Sequence, residues 1–385
     1  MAGKMDAKVL IVGAGIGGLS AALALQRRGF RVAVYEKARE IREVGAGVII
    51  TANARRALRD LGVDEALEAM SSTISVFHTC HFATGEVLRA VSSEEIRQKV
   101  GLPSLGVHRA DLHTVLMEAV LAHDPACLHA NSGFVSLEQD DVGVTARFAN
   151  GATDRGDVLV GADGNVSAVR SFLFPEEAPK FAGQVAFRSL IPDALVPDSI
   201  RRRGSVMSAG PGRYLLCYPL RGGQIMNLVG LVQSDTWEEE GWAIPATNDE
   251  FEKAYAGYEP DLLALIRNIP AGDLFKWGLR DREPLKTWTC GRVTMLGDAA
   301  HPMTPFLGQG ACMAIEDALL LGRAFGASAT VSEALKRYED ARRPRGTLVQ
   351  LSSREEGLTL QDPNKKRRTA QDRGLMDYDP VTVPV

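Results

Sequence analysis

The sequence predicts an α/β protein, a Rossmann-like region with C-terminal helices that is interrupted by an inserted antiparallel β-sheet. Three observations predict it. A strand, a glycine-rich turn, a helix and a second strand follow one another before Lys37. From Phe181 the chain turns into β-rich segments separated by Gly and Pro. Apolar residues at helical spacing return after Gly310.

Lys8–Val12 reads as a buried strand, Leu19–Arg28 as a helix ended by Gly29, and Arg31–Glu36 as the second strand of a βαβ unit. Between the first strand and the helix lies Gly13-Ala14-Gly15-Ile16-Gly17-Gly18, a G-x-G-x-x-G turn. Gly13 permits the tight turn, Gly15 lets backbone approach a pyrophosphate, and Gly18 lets helix and strand pack closely. Gly17 belongs to the same turn. The helix start offers unpaired N–H groups and partial positive charge. Glu36, followed by Lys37, stands where an acid can bind ribose hydroxyls. Together these features predict dinucleotide binding, but they do not separate FAD from NAD.

Further along, Ala52–Leu61 and Leu112–His123 are helical by apolar spacing. Gly133–Gly151 reads as a hairpin about Asp140-Asp141, and Val158–Val160 as a short buried strand ending in "GADG". The inserted sheet spans 181–281, with "GQVAFRSLIP", "RYLLCYPLRGG" and "IMNLVGLVQ" as its strands. Residues 1–180 and 282–350 then form the two parts of the dinucleotide-binding region. Ala311–Phe325 and Val331–Gln350 are its closing helices. The tail, 351–385, is charged after Gln361, and its end, "MDYDPVTVPV", is expected to fold back on the body.

One stretch carries the discriminating signal: "GRVTMLGDAAHPMTPFLGQGACMAIEDALLL", from Gly291 to Leu321. An apolar run ends in Gly-Asp, and a proline-broken loop then enters a helix near Gln309-Gly310. Asp298 can accept hydrogen bonds from a sugar or ribityl hydroxyl. The helix start would point N–H groups at a ligand able to carry negative charge. A reduced isoalloxazine, which deprotonates at N1, is such a ligand. A chain using NAD alone would need no second ligand-facing element so far along.

With "VGAGIGGL" and Glu36, "GADGNVSAVR" (Gly161–Arg170) and "LGDAAHPMTPFLGQGACMAIEDA" in this order, the sequence resembles the class A flavoprotein aromatic hydroxylases, those sharing the para-hydroxybenzoate hydroxylase fold. "EVGAGV" (Glu43–Val48), "HRADLH" (His108–His113), "YPLRGG" (Tyr218–Gly223) and "DREP" (Asp281–Pro284) agree. The branch it looks most like contains the salicylate, 3-hydroxybenzoate and 6-hydroxynicotinate hydroxylases. The resemblance implies an FAD-dependent monooxygenase with NADH or NADPH as transient co-substrate. Reduced flavin would take up dioxygen as a C4a-hydroperoxide and pass one oxygen to a small, hydroxybenzoate-like aromatic ring. Carried over by position, Gly13, Gly15 and Gly18 would face the pyrophosphate, Glu36 the ribose, Arg109 the FAD, and Asp298 the sugar–ribityl region. Leu307, Gly308, Gln309, Gly310 and Ala311 would face the flavin ring. Asp163, with Gly164, would serve the fold and nicotinamide access.

For the substrate, the resemblance places Tyr218 at its hydroxyl, with Tyr214 four residues earlier on the same strand face. Ile49, Pro305 and Phe306 would line the pocket. Ile49 and Phe306 stand where relatives carry polar residues, which weakens a nicotinate-like reading. Arg188 would meet a carboxylate or the flavin edge, or pair with an acid. The alternatives are an N-heteroaromatic hydroxylase, an FAD-dependent epoxidase, or a non-enzymatic FAD-binding protein.

The rest narrows the class. The chain has 385 residues, a formal charge of -4 and a pI near 6.0, which give no electrostatic case for nucleic acid. Its five cysteines, Cys80, Cys127, Cys217, Cys290 and Cys312, are scattered and odd in number. That argues against a disulfide framework and for a cytoplasmic setting. Val9–Leu25 has the apolarity of a marginal membrane span, but its glycines and the strand that follows favour a buried βαβ unit. "HTCH" (His78–His81) has metal-ligand residue types without a second cluster, so no metal is expected. Ser167 lacks a nucleophile-elbow context. "RRR" (Arg201–Arg203) and "KKRR" (Lys365–Arg368) read as solvated loops. Oligomeric state is open, with a homodimer the candidate.

Overall fold

The computed structural model describes residues 5–41, 46–175, 178–237, 243–359 and 367–385. The start of "EVGAGV" and the two lysines of "KKRR" lie outside the described residues. In chain order the elements that matter are β1 (Lys8–Val12), α1 (Ile16–Gln26), β2 (Arg31–Tyr35), α2 (Ala52–Asp60), β3 (Val76–His81), β4 (Val87–Ser92), α3 (Arg109–His123), β5 (Leu128–His129) and β6 (Val158–Gly161). They continue with β7 (Lys180–Pro192), β8 (Ser205–Gly210), β9 (Arg213–Leu220), β10 (Ile225–Gln233), β11 (Ile244–Pro245), β12 (Phe275–Asp281), β13 (Val293–Met295), α4 (Gly310–Gly326) and α5 (Val331–Leu358).

β1, β2, β5, β6 and β13 form a parallel sheet in the order β13-β6-β1-β2-β5, with Leu10 opposite Leu159 and Ala33. Strands covered on both faces read as continuous apolar runs, as β1 and β6 do. Helix α1 is buried from Ile16 to Leu25 except at Gly17. It lies against α4, where a Cβ on Gly322 would stand 2.9 Å from the Cβ of Ala24. The membrane-like apolarity of Val9–Leu25 is therefore that of a strand and helix sealed in one core. Among the described residues, no helix is long and apolar enough to cross a membrane.

The second sheet has eight strands in the order β11-β12-β7-β10-β9-β8-β3-β4. One face buries Phe187, Leu215, Cys217 and Leu228 against the short helices Asn248–Ala254 and Pro260–Arg267. The other presents Ala186, Met207, Tyr214 and Leu231, packed with Phe306, toward the first region.

Several elements depart from the sequence reading. The sheet takes β3 and β4 from 76–92, outside 181–281, because Ser205–Ala209 of β8 pairs in parallel with Phe77–His81. "HTCH" is thus part of a sheet strand. Helices α1 and α3 begin three residues earlier than their apolar spacing shows, since a helix's first turn needs no apolar face. Helix α5 continues past Gln350 to Leu358, through Pro344. An interior proline weakens a helix by removing one N–H. Here "DREP" anchors the continuation: Gln350 Nε2 donates to the Arg282 carbonyl (2.7 Å), and Arg354 binds Asp281, Glu283 and the same carbonyl.

The tail does fold back. Arg56 of α2 donates to the carbonyls of Met376 and Tyr378 (2.9 and 3.0 Å), Arg345 of α5 to that of Leu375 (3.0 Å), and Arg323 of α4 to that of Pro380 (2.7 Å). Arg345 also stacks over the Tyr378 ring at 3.8 Å.

Candidate active site

Two cavities lie on opposite sides of the strand Gly47–Ile50 and the loop 305–311. Val48 lines the larger and Ile49 the smaller, as alternation along a strand requires. Gly310 and Ala311 face the larger; Pro305, Phe306, Leu307 and Gly308 face the smaller.

The larger cavity, about 370 Å³, is bounded by Gly13, Gly15, Gly17, Glu36, Lys37, Arg109, Asp163 and Asp298. Its shape comes from backbone. A Cβ on Gly18 would stand 1.9 Å from the Gly13 carbonyl oxygen, and one on Gly13 2.5 Å from that of Ala162. Gly13 also has φ of 103°, in the region that favours glycine. Helices α1 and α4 both begin at this cavity, with no capping side chain and no acid in the first turn. Two uncapped helix starts meeting at one cavity favour an anion there.

Side chains brace this frame. Glu36 accepts from the backbone N–H of Ala14 and Ala38 (2.9 Å each). His113 Nε2 donates to the Ala14 carbonyl (2.8 Å), which ties "HRADLH" to the glycine turn. Asp111 of the same motif pairs with Arg221 of "YPLRGG" at 2.6 Å. Asp163 accepts from Ser167 Oγ and from the N–H groups of Ala168 (2.7 Å) and Val169 (3.1 Å), holding the short helix Ala168–Leu173.

Asp298 is different. Its carboxylate opens on the cavity and accepts no hydrogen bond from a described residue. The side chain is exposed in the open cavity, yet the protein atoms crowding it push its pKa up, against the pull of His301 and Arg109. An acid held without partners in a cavity is arranged for a ligand. The turn that presents it is locked by residues the sequence reading passed over. Gly297 N–H donates to Asp317 (2.9 Å), which also binds His301 and Arg342. Burial alone would raise the Asp317 carboxyl, but the His301 and Arg342 charges outweigh it and hold it at about 2. Arg170, the last residue of "GADGNVSAVR", reaches the carbonyls of Ala299 and Ala300 (3.1 Å each). The adjacent acids Glu316-Asp317, in an otherwise apolar helix, were the signal available.

Gln309 points away from both cavities. Its Oε1 accepts from Asn53 and its Nε2 donates to Thr51, so the side chain fixes the loop and only its backbone neighbours face a ligand.

The smaller cavity, about 180 Å³, has apolar walls that include Ile49, Ile74, Met207, Leu216 and Phe306. Tyr214 lines it, meeting Phe306 edge-on at 6.0 Å. Tyr218, ranked first by resemblance, does not line it; the Tyr218 ring lies beneath Gly106, where an added Cβ would stand 3.3 Å away. The register puts Arg188 on the same sheet face, across Val229 from Leu216. Arg188 donates to the Gly47 carbonyl (3.0 Å), its Nε is buried without an acceptor, and no described carboxylate pairs with it. Burial pushes its guanidinium down, opposed by Tyr218.

The tyrosines divide in the same way. Tyr35, Tyr255, Tyr258 and Tyr338 all donate to protein oxygens. The rings of Tyr214 and Tyr218 are buried, but their hydroxyls meet no described partner and are not among the sealed polar atoms. A tyrosine whose ring is buried usually finds a partner for its hydroxyl, so these two are open to a group the chain does not supply.

A family model described as "FAD binding domain" matches residues 6–352. Among curated relatives, 3-hydroxybenzoate 6-hydroxylase 1 of Aquipseudomonas alcaligenes is 38% identical over 91% of this chain and 88% of its own. The 6-hydroxynicotinate 3-monooxygenase of Bordetella bronchiseptica is 32% identical over 89% of each chain. Among solved structures, Klebsiella pneumoniae HpxO complexed with FAD and uric acid superposes with a TM-score of 0.83 at 26% identity, covering 97% of this chain and 93% of the other.

Proposed function

The chain belongs to the FAD-binding-domain family, and from that premise we propose an NAD(P)H-dependent monooxygenase that hydroxylates a small, hydroxybenzoate-like aromatic ring. The carrying observation is the pair of cavities divided by 47–50 and 305–311, with two unpartnered tyrosine hydroxyls and Arg188 on the sheet beyond.

The larger cavity suits FAD. Gly13 and Gly18 let the turn pack against neighbouring backbone, two helix starts would face its phosphates and ring, and Asp298 would offer acceptors to its hydroxyls. Glu36, Lys37 and Arg109 would hold the nucleotide end, and Gly310-Ala311 the flavin. When bound, FAD supplies hydride acceptance from NADH or NADPH and activation of dioxygen.

The chain's own residues do the rest. Phe306, Leu307 and the apolar walls seat the ring and exclude water. Burial pushes the Tyr214 hydroxyl up to about 12, against the Arg367 and Arg188 charges, and pushes Tyr218 up further. Both stay protonated at neutral pH. Tyr214, which lines the cavity, can hold the substrate hydroxyl, and can take its proton only while handing on its own. Arg188 stabilises negative charge that develops on the substrate or cofactor side of the sheet. The apolar Ile49 and Phe306 favour a benzenoid ring over an N-heteroaromatic one.

The test is direct. Purified holoprotein is mixed with NADH or NADPH and a panel of hydroxylated aromatic acids in air, and products are weighed by mass spectrometry. A product heavier by one oxygen, with substrate-stimulated loss of 340 nm absorbance, is expected. FAD-loaded protein that reduces no flavin and oxygenates no ring in the panel would sink the reading.

A further inference from the structure

The charged residues of the smaller cavity gather where β4, α5 and the tail meet; elsewhere its walls are apolar apart from Thr51, Thr79, Ser104 and Tyr214. There, three arginines, Arg89, Arg367 and Arg368, stand against one carboxylate, Glu356. Two of the three are engaged elsewhere. Arg89 grips both oxygens of Asp372 (3.1 Å each), and Arg368 donates to the Asp372 carbonyl (3.2 Å).

Arg367 is held but not used up. Its Nε donates to Glu356 (3.0 Å), and its guanidinium lies over the Tyr214 ring, 4.6 Å from the centroid. Its Nη1 is buried with no acceptor, and so is Nε2 of Gln371, four residues on. Both side chains line the cavity. Buried donors without acceptors are rare and costly in folded proteins. Two on one wall, one of them cationic and oriented by an aromatic face, form a receptor for an anion.

Their place gives the receptor its meaning. Phe306 and Gly308 belong to the same loop as Gly310 and Ala311, which line the larger cavity, and Tyr214 touches both Phe306 and Arg367. A ring laid against Phe306 puts one edge toward the larger cavity and the other toward the tail. We propose that Arg367 and Gln371 bind a carboxylate on the aromatic substrate, so that the C-terminal segment selects aromatic acids. The proposal rests on the monooxygenase reading above and names its substrate class.

The test titrates FAD-loaded protein with 3-hydroxybenzoate, 4-hydroxybenzoate and salicylate, each beside its neutral amide, following the change in flavin absorbance. The wild type is expected to bind at least one acid more tightly than its amide. Arg367→Gln should weaken that acid by roughly 10- to 100-fold, the loss expected for a charge-assisted hydrogen bond, and its amide by less than about threefold. Gln371→Leu should act in the same direction, more weakly. It leaves the Arg367–Glu356 pair intact, so it keeps the test decisive if Arg367→Gln fails to fold. An acid-to-amide ratio unchanged in the folded variants would overturn the proposal, as would a preference erased only by Arg188→Gln. A wild type that binds some of these rings but prefers no acid overturns this proposal alone. One whose flavin responds to none of these rings, acid or amide, overturns the monooxygenase reading and this proposal with it.

Discussion

The two cavities are built on opposite principles. The larger is shaped by main chain from a few contiguous motifs: a glycine turn, two helix starts and one Gly-Asp turn. The smaller is shaped by side chains drawn from β3, β4, β8, β9, the 305–308 loop, α5 and the tail. A backbone cradle tolerates little change, because its requirement is the absence of atoms. A side-chain pocket can be rebuilt one residue at a time. The relatives' names specify different rings, a difference that a side-chain pocket accommodates more readily than a backbone cradle does.

The sharpest way to break this contrast is Gly18→Val. Its Cβ would fall 1.9 Å from a backbone oxygen, with no flexible group to give way. Loss of bound FAD is expected, read as the 450 nm to 280 nm absorbance ratio, together with destabilisation of roughly 3 kcal/mol or more from forced strand–helix separation. A yellow, folded variant would mean that the cradle is not set by backbone.

Next in size is Tyr214→Phe. Hydroxylation should fall roughly 10²-fold, the range for a lost acid–base contact, while FAD content holds. Released hydrogen peroxide should take a larger share of the oxygen consumed. Tyr218→Phe should cost less, since only Tyr214 lines the pocket, which reverses the ranking that resemblance suggests. Product and peroxide measured in one reaction decide between them. Equal, full coupling in both variants would move the proton path to bound water.

Asp298→Asn should separate cofactor binding from folding. FAD affinity should drop by roughly 10-fold with the loss of a charged acceptor. The apoprotein should instead melt at the wild-type temperature or slightly above it at neutral pH, since the side chain is exposed in the cavity and solvent screens the effect. The sign follows from linkage: the folded carboxyl is raised, so the unfolded chain gives up its proton first as pH rises, and folding is disfavoured above the ordinary carboxylate range. The gap in melting temperature should close below about pH 4, where both states are protonated. An apoprotein destabilised by the change would make Asp298 a structural residue.

The smallest effect is expected from Asp372→Asn, which loosens the Arg89 clasp on the tail. Burial alone would raise this carboxyl, but Arg89 and Thr369 hold it at about 2. Its contribution is therefore present above the ordinary carboxylate range and lost as pH falls toward 2. Because the pair is partly exposed, KM for an aromatic acid should rise by no more than about threefold. A tenfold rise would show that the tail's docking, and not its pocket residues alone, governs substrate binding.

The same contrast decides what was legible in the sequence. Gly13, Gly18, Glu36 and Asp298 stand out in the sequence because each belongs to a short local pattern, a glycine turn after a strand or an apolar run ended by an acid. The insertion was visible from its change of periodicity at Phe181. Three things were not. β3 and β4 carry no mark of belonging to a sheet whose next strand begins at Ser205. The Asp317–His301–Arg342 network joins groups on a loop and two helices, and no local pattern announces it. Arg367 sits in a charged run that resembles any solvated tail, and only its position over Tyr214 sets it apart.

The recruitment of β3 into the antiparallel sheet bears on how the chain folds and how it can be cut. The β8–β3 register joins Ser205 to Phe77, so the sheet cannot close until the intervening chain has been brought into place. Such long-range parallel pairing slows folding and couples the two regions into one cooperative unit. A fragment limited to 181–281 would leave β8 as an open edge, with its backbone N–H and C=O groups offered to any passing strand. It is expected to aggregate when expressed alone. Supplying 72–92 in trans should rescue its solubility by restoring the missing edge.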